Sequence, residues 1–326
     1  MKINVLYQSD DNYALVGLTS IVSLVENNRH YENINIFYVS DEISIHNKKI
    51  MQDTIDGYDN VKLFFIDADV YIKKLRALNV SSWHNRIVTW CKLLVLQDID
   101  IDEKKLLYIN PHTIINGKLD FLFEKDLGNN VMACVSDLSV REKNILIGHA
   151  VSDDYFNCGL MLINHDIWKK ERLSQYCELK LQEKSDYLVV DQDFCNDVFF
   201  GRIQKLPFDT FVFDTVYIIK ALPLFLKIMG LKEENYYNFS EIKHGLQSPK
   251  IIYSTFRGTG NPWELGNKTP CEFLWDKFMS QIEFKKQPNS RSFFKKILYS
   301  HFATTILVIR RVYERFKYNQ MIRQKY

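Results

Sequence analysis

Residues 2–26 read KINVLYQSDDNYALVGLTSIVSLVE: a short apolar run, an acidic turn, and an apolar stretch of helical length. Lys2 to Tyr7 reads as a buried strand and Asn12 to Glu26 as an apolar helix. The alternation continues outward. Asn35 to Val39 reads as a strand, Ile43 to Ile55 as a helix, Val61 to Ile66 as a strand and Ile87 to Gln97 as a helix. Strands are then expected at Leu106 to Ile109, Val131 to Val135 and Gly159 to Ile163, and one long polar helix over His165 to Lys184. Strands alternating with helices predict an α/β fold, a parallel or mixed sheet flanked by helices. No repeat with a period of 20 to 50 residues appears.

Composition narrows the class. Of 326 residues 46% are apolar and 25% charged, with 12 Gly and 7 Pro, which excludes disordered and collagen-like chains. The six cysteines (91, 134, 158, 177, 195 and 271) have no C-x-x-C spacing and read as reduced core residues. No apolar run reaches about 18 residues and the N-terminus enters a strand at once, so neither a spanning helix nor a signal peptide is expected, which points to the cytoplasm.

Charge divides the chain. Residues 285–326 hold eleven Lys and Arg against the single acid Glu314; residues 1–284 hold 31 basic residues against 39 acidic ones. We therefore separate a body, 1–284, from a basic tail, 285–326, joined by the Lys285 to Ser292 run. From Phe293 onward the apolar residues Phe294, Leu298, Phe302, Ile306, Ile309, Val312, Tyr313 and Phe316 recur at helical spacing among basic ones. Such a helix suits an anionic membrane surface, the alternative being a helix packed on the body with a solvated basic face. Nucleic acid is not an expected partner, since no recognition module accompanies the charge.

Chemistry is expected where strands end, because ligands of open α/β sheets bind at the carboxyl ends. After the first strand come Ser9, Asp10, Asp11, Asn12 and Tyr13, which could equally cap the helix. Asn110, Pro111 and His112 end a later strand without a fixed negative charge, and Asp191, Gln192 and Asp193 open a helical stretch where capping is again the alternative. Asp67-Ala68-Asp69 reads as polar residues after an edge strand rather than as a metal site. No glycine-rich phosphate loop is present.

Taken in order, these segments resemble the family 8 glycosyltransferases, retaining nucleotide-sugar enzymes on the GT-A (Rossmann-like) fold, over roughly residues 1 to 265. The most specific match is Tyr155-Phe156-Asn157-Cys158-Gly159-Leu160-Met161-Leu162-Ile163-Asn164. The resemblance implies that Asp10, Asn12 and Tyr13 contact base and ribose, that Lys92 in the Thr89 to Leu93 segment binds the donor, and that Asp137 and Asn157 hold its sugar. Asp191 and Gln192 would be catalytic, with Gln192 near the reacting carbon. Acceptor recognition would fall to Ser139 to Asp154 and Asp214 to His244.

The departures fall on the metal. The family's Asp-x-Asp is here Asn110, Pro111 and His112, and its His-x-x-Gly-x-x-Lys-Pro-Trp is Thr255, Phe256, Arg257, Gly258, Thr259, Gly260, Asn261, Pro262, Trp263. Asn110, His112 and Thr255 are weak ligands for the Mn²⁺ typical of the family, so no metal or other cofactor is expected. His112 when protonated, Arg257 and Lys268 become candidates for the diphosphate, and Gly258 stays with the donor. The implied activity is transfer of a hexose from a UDP-sugar such as UDP-glucose or UDP-galactose to a glycan, a lipid-linked or a protein-linked glycan, in polysaccharide biosynthesis, peripheral to the inner face of the membrane. The alternative is a non-catalytic member that stabilises a partner glycosyltransferase.

Overall fold

The computed structural model describes residues 1–255, 258–289 and 291–325. In chain order the elements are β1 (Lys2–Asp10), α1 (Asp11–Asn27), β2 (Asn33–Asp41), α2 (Ile45–Ile55), β3 (Val61–Asp67), α3 (Asp69–Ala77), α4 (Cys91–Val95), β4 (Lys105–Ile109), β5 (Thr113–Ile115), α5 (Asp120–Glu124), β6 (Met132–Ser136), α6 (Lys143–Leu146) and β7 (Phe156–Asn164). There follow α7 (His165–Lys170), α8 (Leu173–Glu183), α9 (Val190–Val198), β8 (Ile203–Lys205), β9 (Val212–Phe213), α10 (Leu222–Met229), α11 (Phe239–Gln247), β10 (Ile251–Tyr253), α12 (Glu272–Met279) and α13 (Phe293–Lys325). Two compact units result, Met1–Cys134 with Asn157–Lys205, and Val135–Phe156 with Leu206–Tyr326.

The first unit is organised by a seven-stranded mixed sheet of order β3-β2-β1-β4-β7-β6-β8. Strands β1, β2, β3 and β4 run parallel, and β7 runs antiparallel to β4, with Ile109 opposite Leu160. Chain order reverses at β1, flanked by β2 and β4, so the crevice beyond the carboxyl ends of β1 and β4 is the natural ligand position. Seven consecutive residues of β1 and all of Val16–Val25 in α1 are buried, which explains why both segments are mostly apolar; the polar exceptions are hydrogen-bonded, as Ser20 Oγ is to Tyr7 and Thr113. Gly17 is required there: a Cβ would lie 2.3 Å from the Tyr38 hydroxyl. Strand β3 is an edge strand with alternating exposure, as its polar ending suggests.

One long helix was expected over 165–184, and two short ones form instead. At 100° per residue a straight helix would put Trp168 on the face opposite Cys177, yet both side chains are fully buried. Arg172, left-handed at φ +53°, breaks the helix so that Trp168 and the Leu173, Cys177 and Leu181 stripe can both reach the core. Five of the six cysteines are buried and Cys271 is half-buried, all as free thiols.

In the second unit β9 and β10 pair in parallel, and α11 begins in a capping box between Asn238 and Glu241. The tail forms α13, with non-helical torsions at Phe302. It is held by Thr304 Oγ1, which donates to Ile218 O at 2.8 Å, and by Arg315, which pairs with the buried Glu142. The Lys285 to Ser292 run is anchored too: Gln287 exchanges backbone hydrogen bonds with Trp263 and Leu265, and Lys286 pairs with Glu272 and Asp276. No helix of the described residues is long and apolar enough to cross a membrane.

Candidate active site

Asp10 ends β1 at the position that should cap α1, but its carboxylate makes no cap bond. Its Oδ2 instead accepts from Arg86 Nε at 2.7 Å, while Oδ1 is buried with no hydrogen-bond partner among the described residues. Asp11 has a purely structural task, its Oδ1 accepting from Ser44 N, Ser44 Oγ and Asn47 Nδ2 at 2.7 to 2.9 Å. Burial acts to raise its pKa, but these bonds outweigh it and hold the group below its ordinary value. Asn12 is exposed. The Tyr13 ring meets the Arg86 guanidinium 5.1 Å from its centroid and the His112 imidazole at 6.0 Å between centroids. Arg86 lies in a tight turn in which Trp83 and Arg86 exchange two backbone hydrogen bonds while His84 and Asn85 have positive φ.

A second cluster grows from Gln8. Its Oε1 accepts the Lys92 N–H at 2.9 Å and its Nε2 donates to Thr89 O, which sews β1 to the 88–95 helical segment. The Lys92 side chain, only 3% exposed, is thereby directed at Asp191: Nζ to Oδ2 is 2.5 Å. Nζ also lies 4.4 Å from the centroid of the Tyr108 ring. Burial alone would lower the Lys92 pKa, but the Asp191 carboxylate more than offsets it and the net shift is upward. Asp191 Oδ1 accepts from Thr89 Oγ1 at 2.6 Å, so both oxygens are engaged. The residue before it, Val190, has φ +34°, a conformation that a β-branched residue adopts only under constraint. Capping of α9 falls to Asp193, whose Oδ2 accepts from Val189 N.

Asn157 starts β7 beside the carboxyl end of β4, where Asn110 N donates to Gly159 O. Its Nδ2 donates to Gln192 Oε1 at 3.0 Å, Cys158 N donates to the same oxygen at 3.2 Å, and its own Oδ1 accepts from Gly159 N. The first unit thus brings together two clusters of expected site residues, Asp10, Tyr13 and His112 in one and Lys92, Asn157, Asp191 and Gln192 in the other.

The remaining expected residues belong to the second unit. Asp137 is buried, its N–H donates to Tyr155 O, and Lys143 Nζ lies 3.9 Å from its Oδ1. Within Ser139 to Asp154, expected to meet an acceptor, Arg141, Glu142, Lys143 and Asn144 are buried while Gly148, Ala150, Val151 and Ser152 are exposed. Arg141 ties Asp137 O, Ser139 O, Ser136 Oγ and Asn235 O together. Gly258 is buried, Lys268 is exposed, and Arg257 lies outside the described residues. In the Pro-Trp frame Trp263 packs on Trp275, and Asn261 is turned onto Glu264.

The donor chemistry at the three metal positions does not fit a hard divalent cation. Asn110 Oδ1 is an uncharged amide oxygen that already accepts from His112 N, and Thr255 Oγ1 is hydrogen-bonded to Asp214 Oδ1 and Thr215 Oγ1. Asp67, the other acid pair's first member, uses its carboxylate on the Asp69 N–H at the start of α3. Sequence reasoning missed Arg86 and Arg141. Neither lies in a motif; only the three-dimensional neighbours Asp10 and Asp137 give them meaning.

Comparison with known proteins agrees with this architecture. The chain is 26% identical over 269 residues to lipopolysaccharide 1,2-glucosyltransferase of Escherichia coli (strain K12), covering 80% of this chain and 72% of that one. It is 24% identical over 281 residues to general stress protein A of Bacillus subtilis (strain 168), covering 85% and 92%. The crystal structure of the galactosyltransferase LgtC in complex with donor and acceptor sugar analogs superimposes with a TM-score of 0.64 at 18% identity, over 87% of this chain and 96% of that one. The family model described as Glycosyl transferase family 8 matches residues 4–264, the same span that carries the strand-end residues described above, and the chain therefore belongs to that family and is a glycosyltransferase.

Proposed function

We propose that the protein transfers a hexose from a UDP-sugar to a glycan or glycolipid acceptor with retention of configuration, without a tightly bound metal. The observation that carries this reading is the Asn157 to Gln192 hydrogen bond at the carboxyl end of the sheet, which joins the two widely separated segments that resemble the family's sugar-binding and reacting-carbon segments. Names of relatives support the substrate class: one is a lipopolysaccharide glucosyltransferase, another a galactosyltransferase solved with sugar analogs.

In this reading Asp10, Asn12 and Tyr13 hold the nucleoside, and Asp137, Asn157 and Asp191 orient the sugar. The bond from the anomeric carbon to the diphosphate oxygen breaks with its electron pair leaving on UDP. A bond to the acceptor hydroxyl oxygen forms, and the hydroxyl proton passes to the departing phosphate oxygen. Gln192, its Oε1 held by Asn157 Nδ2 and Cys158 N–H, lies in this reading as a neutral amide beside the anomeric carbon, where positive charge develops. With Asn110, His112 and Thr255 at the metal positions, the diphosphate charge falls to cationic side chains and N–H groups.

Helix α13 supports peripheral attachment to an anionic membrane. Leu298, Phe302, Ile309, Val312 and Phe316 form a stripe left 37 to 63% exposed, flanked by Lys295, Arg310 and Lys317, while the opposite side docks through Leu307 and Arg315.

Calorimetric titration of UDP, UDP-glucose and UDP-galactose, in excess Mn²⁺ and again in EDTA, tests the donor reading. Equal affinity in both media, with slow hydrolysis releasing the sugar first as its α-anomer, is the expected result. Binding that requires Mn²⁺ would overturn the metal-free reading, and no nucleotide binding in either medium would leave a non-catalytic role.

A further inference from the structure

We propose that Arg86 is the cation of the donor diphosphate, held on Asp10 and Tyr13 until a nucleoside displaces it. The inference rests on the donor reading above.

Two groups at the end of β1 suit a pyrimidine base: an aromatic face, offered by Tyr13, and a carboxylate able to accept from a ring N–H, offered by Asp10. In the ligand-free protein Arg86 uses both. Its Nε donates to Asp10 Oδ2 at 2.7 Å and its guanidinium lies 5.1 Å from the centroid of the Tyr13 ring. Asp10 Oδ1 is buried beside this contact and has no hydrogen-bond partner among the described residues, an acceptor position open to a ligand's donor. A base that stacks on Tyr13 and donates to Asp10 therefore competes with Arg86 for the ring face and releases the guanidinium next to the nucleotide it has admitted.

The released side chain is suited to the phosphates. A guanidinium presents parallel N–H donors that match phosphate oxygens two at a time. Its side chain is 40% exposed and sits on a turn closed by the two Trp83–Arg86 backbone bonds, so it can swing without unpacking the core. Of the cations that sequence reasoning nominated in the same unit, Lys92 is enclosed and committed to Asp191, and His112 lies on the other contact of the Tyr13 ring. The assignment thus supplies positive charge where Asn110 and His112 no longer hold a metal.

The test compares uridine with UDP in EDTA, by NMR titration for the nucleoside and calorimetry for the nucleotide, using the full chain and the variants Arg86→Gln and Arg86→Lys. In wild type UDP should bind at least tenfold tighter than uridine. Arg86→Gln should leave uridine binding equal or tighter, because its competitor is gone, and weaken UDP binding at least tenfold; Arg86→Lys should fall between. Equal weakening of both ligands by Arg86→Gln would make Arg86 only a support for Asp10 and overturn the proposal, as would no change in either. Wild-type protein that binds neither ligand would refute the donor reading itself, and the inference with it. Failure confined to the variants would refute the inference alone.

Discussion

Lys92 Nζ and Asp191 Oδ2 form a buried ion pair at 2.5 Å, linking the helical segment after β3 to the first turn of α9. Breaking one side of such a pair leaves an uncompensated charge in the core. Lys92→Met is therefore expected to lower unfolding stability by about 3–5 kcal/mol in urea denaturation. Adding Asp191→Leu should restore most of that loss without restoring donor hydrolysis. A single variant as stable as wild type would show that the pair is not maintained in solution.

Asn157 and Gln192 should behave as one unit. Each replaced by Ala is expected to reduce kcat about tenfold or more with a smaller effect on KM, because the Gln192 oxygen loses its fixed position. In a double-mutant cycle the coupling should fall at about 0.5–3 kcal/mol. Additive losses would mean that the hydrogen bond has no catalytic consequence.

Restoring carboxylates at the end of β4 should create a metal site. Asn110→Asp with His112→Asp is expected to give UDP binding that tightens with Mn²⁺ and weakens in EDTA, while wild-type binding is the same in both. Calorimetry in the two media reads this directly.

His165 gives a pH signature of stability. Burial pushes its pKa below the ordinary 6.5, and the Leu96 carbonyl, which accepts from its Nε2 at 3.1 Å, offsets this only in part. The unfolded chain takes up the proton first, so the contribution is intact above about 6.5 and declines as pH falls through that value. His165→Gln should flatten this portion of the curve of urea midpoint against pH; an unchanged slope would assign it to other groups.

Vesicle flotation tests α13. Wild type should float with anionic vesicles and not with neutral ones, and Phe302→Ser, Ile309→Ser and Phe316→Ser together should abolish this without moving the melting temperature, since all three side chains are exposed. Equal flotation of wild type and variant would exclude the stripe as the contact.

The order of strands and helices in the first unit was legible because its segments are buried on both sides and therefore mostly apolar, as in β1 and α1. The break at Arg172 was not, since a polar stretch at helical spacing carries no sign of a residue that must turn left-handed to bury Trp168 and Cys177 together. Among site residues, Asp10, Asn157 and Asp191 stand at strand ends or helix starts, where polarity interrupts an apolar pattern. Arg86 and Arg141 acquire their roles from partners distant in sequence, and local composition holds no trace of them. Burial of a charged residue such as Arg141 is equally invisible in the sequence: it rests on four hydrogen-bond acceptors, one of them Asn235 O, distant along the chain.

Val190 sets a thermal order of events. Its side chain is buried in the core while its backbone is held at φ +34°, so packing restrains a torsion that would otherwise relax, at a cost of about 1–3 kcal/mol. Heating that loosens the packing around Val190 is expected to release this torsion, and with it the positions of Asp191 and Gln192 at the opening of α9. Turnover should accordingly fade several degrees before the helical signal melts.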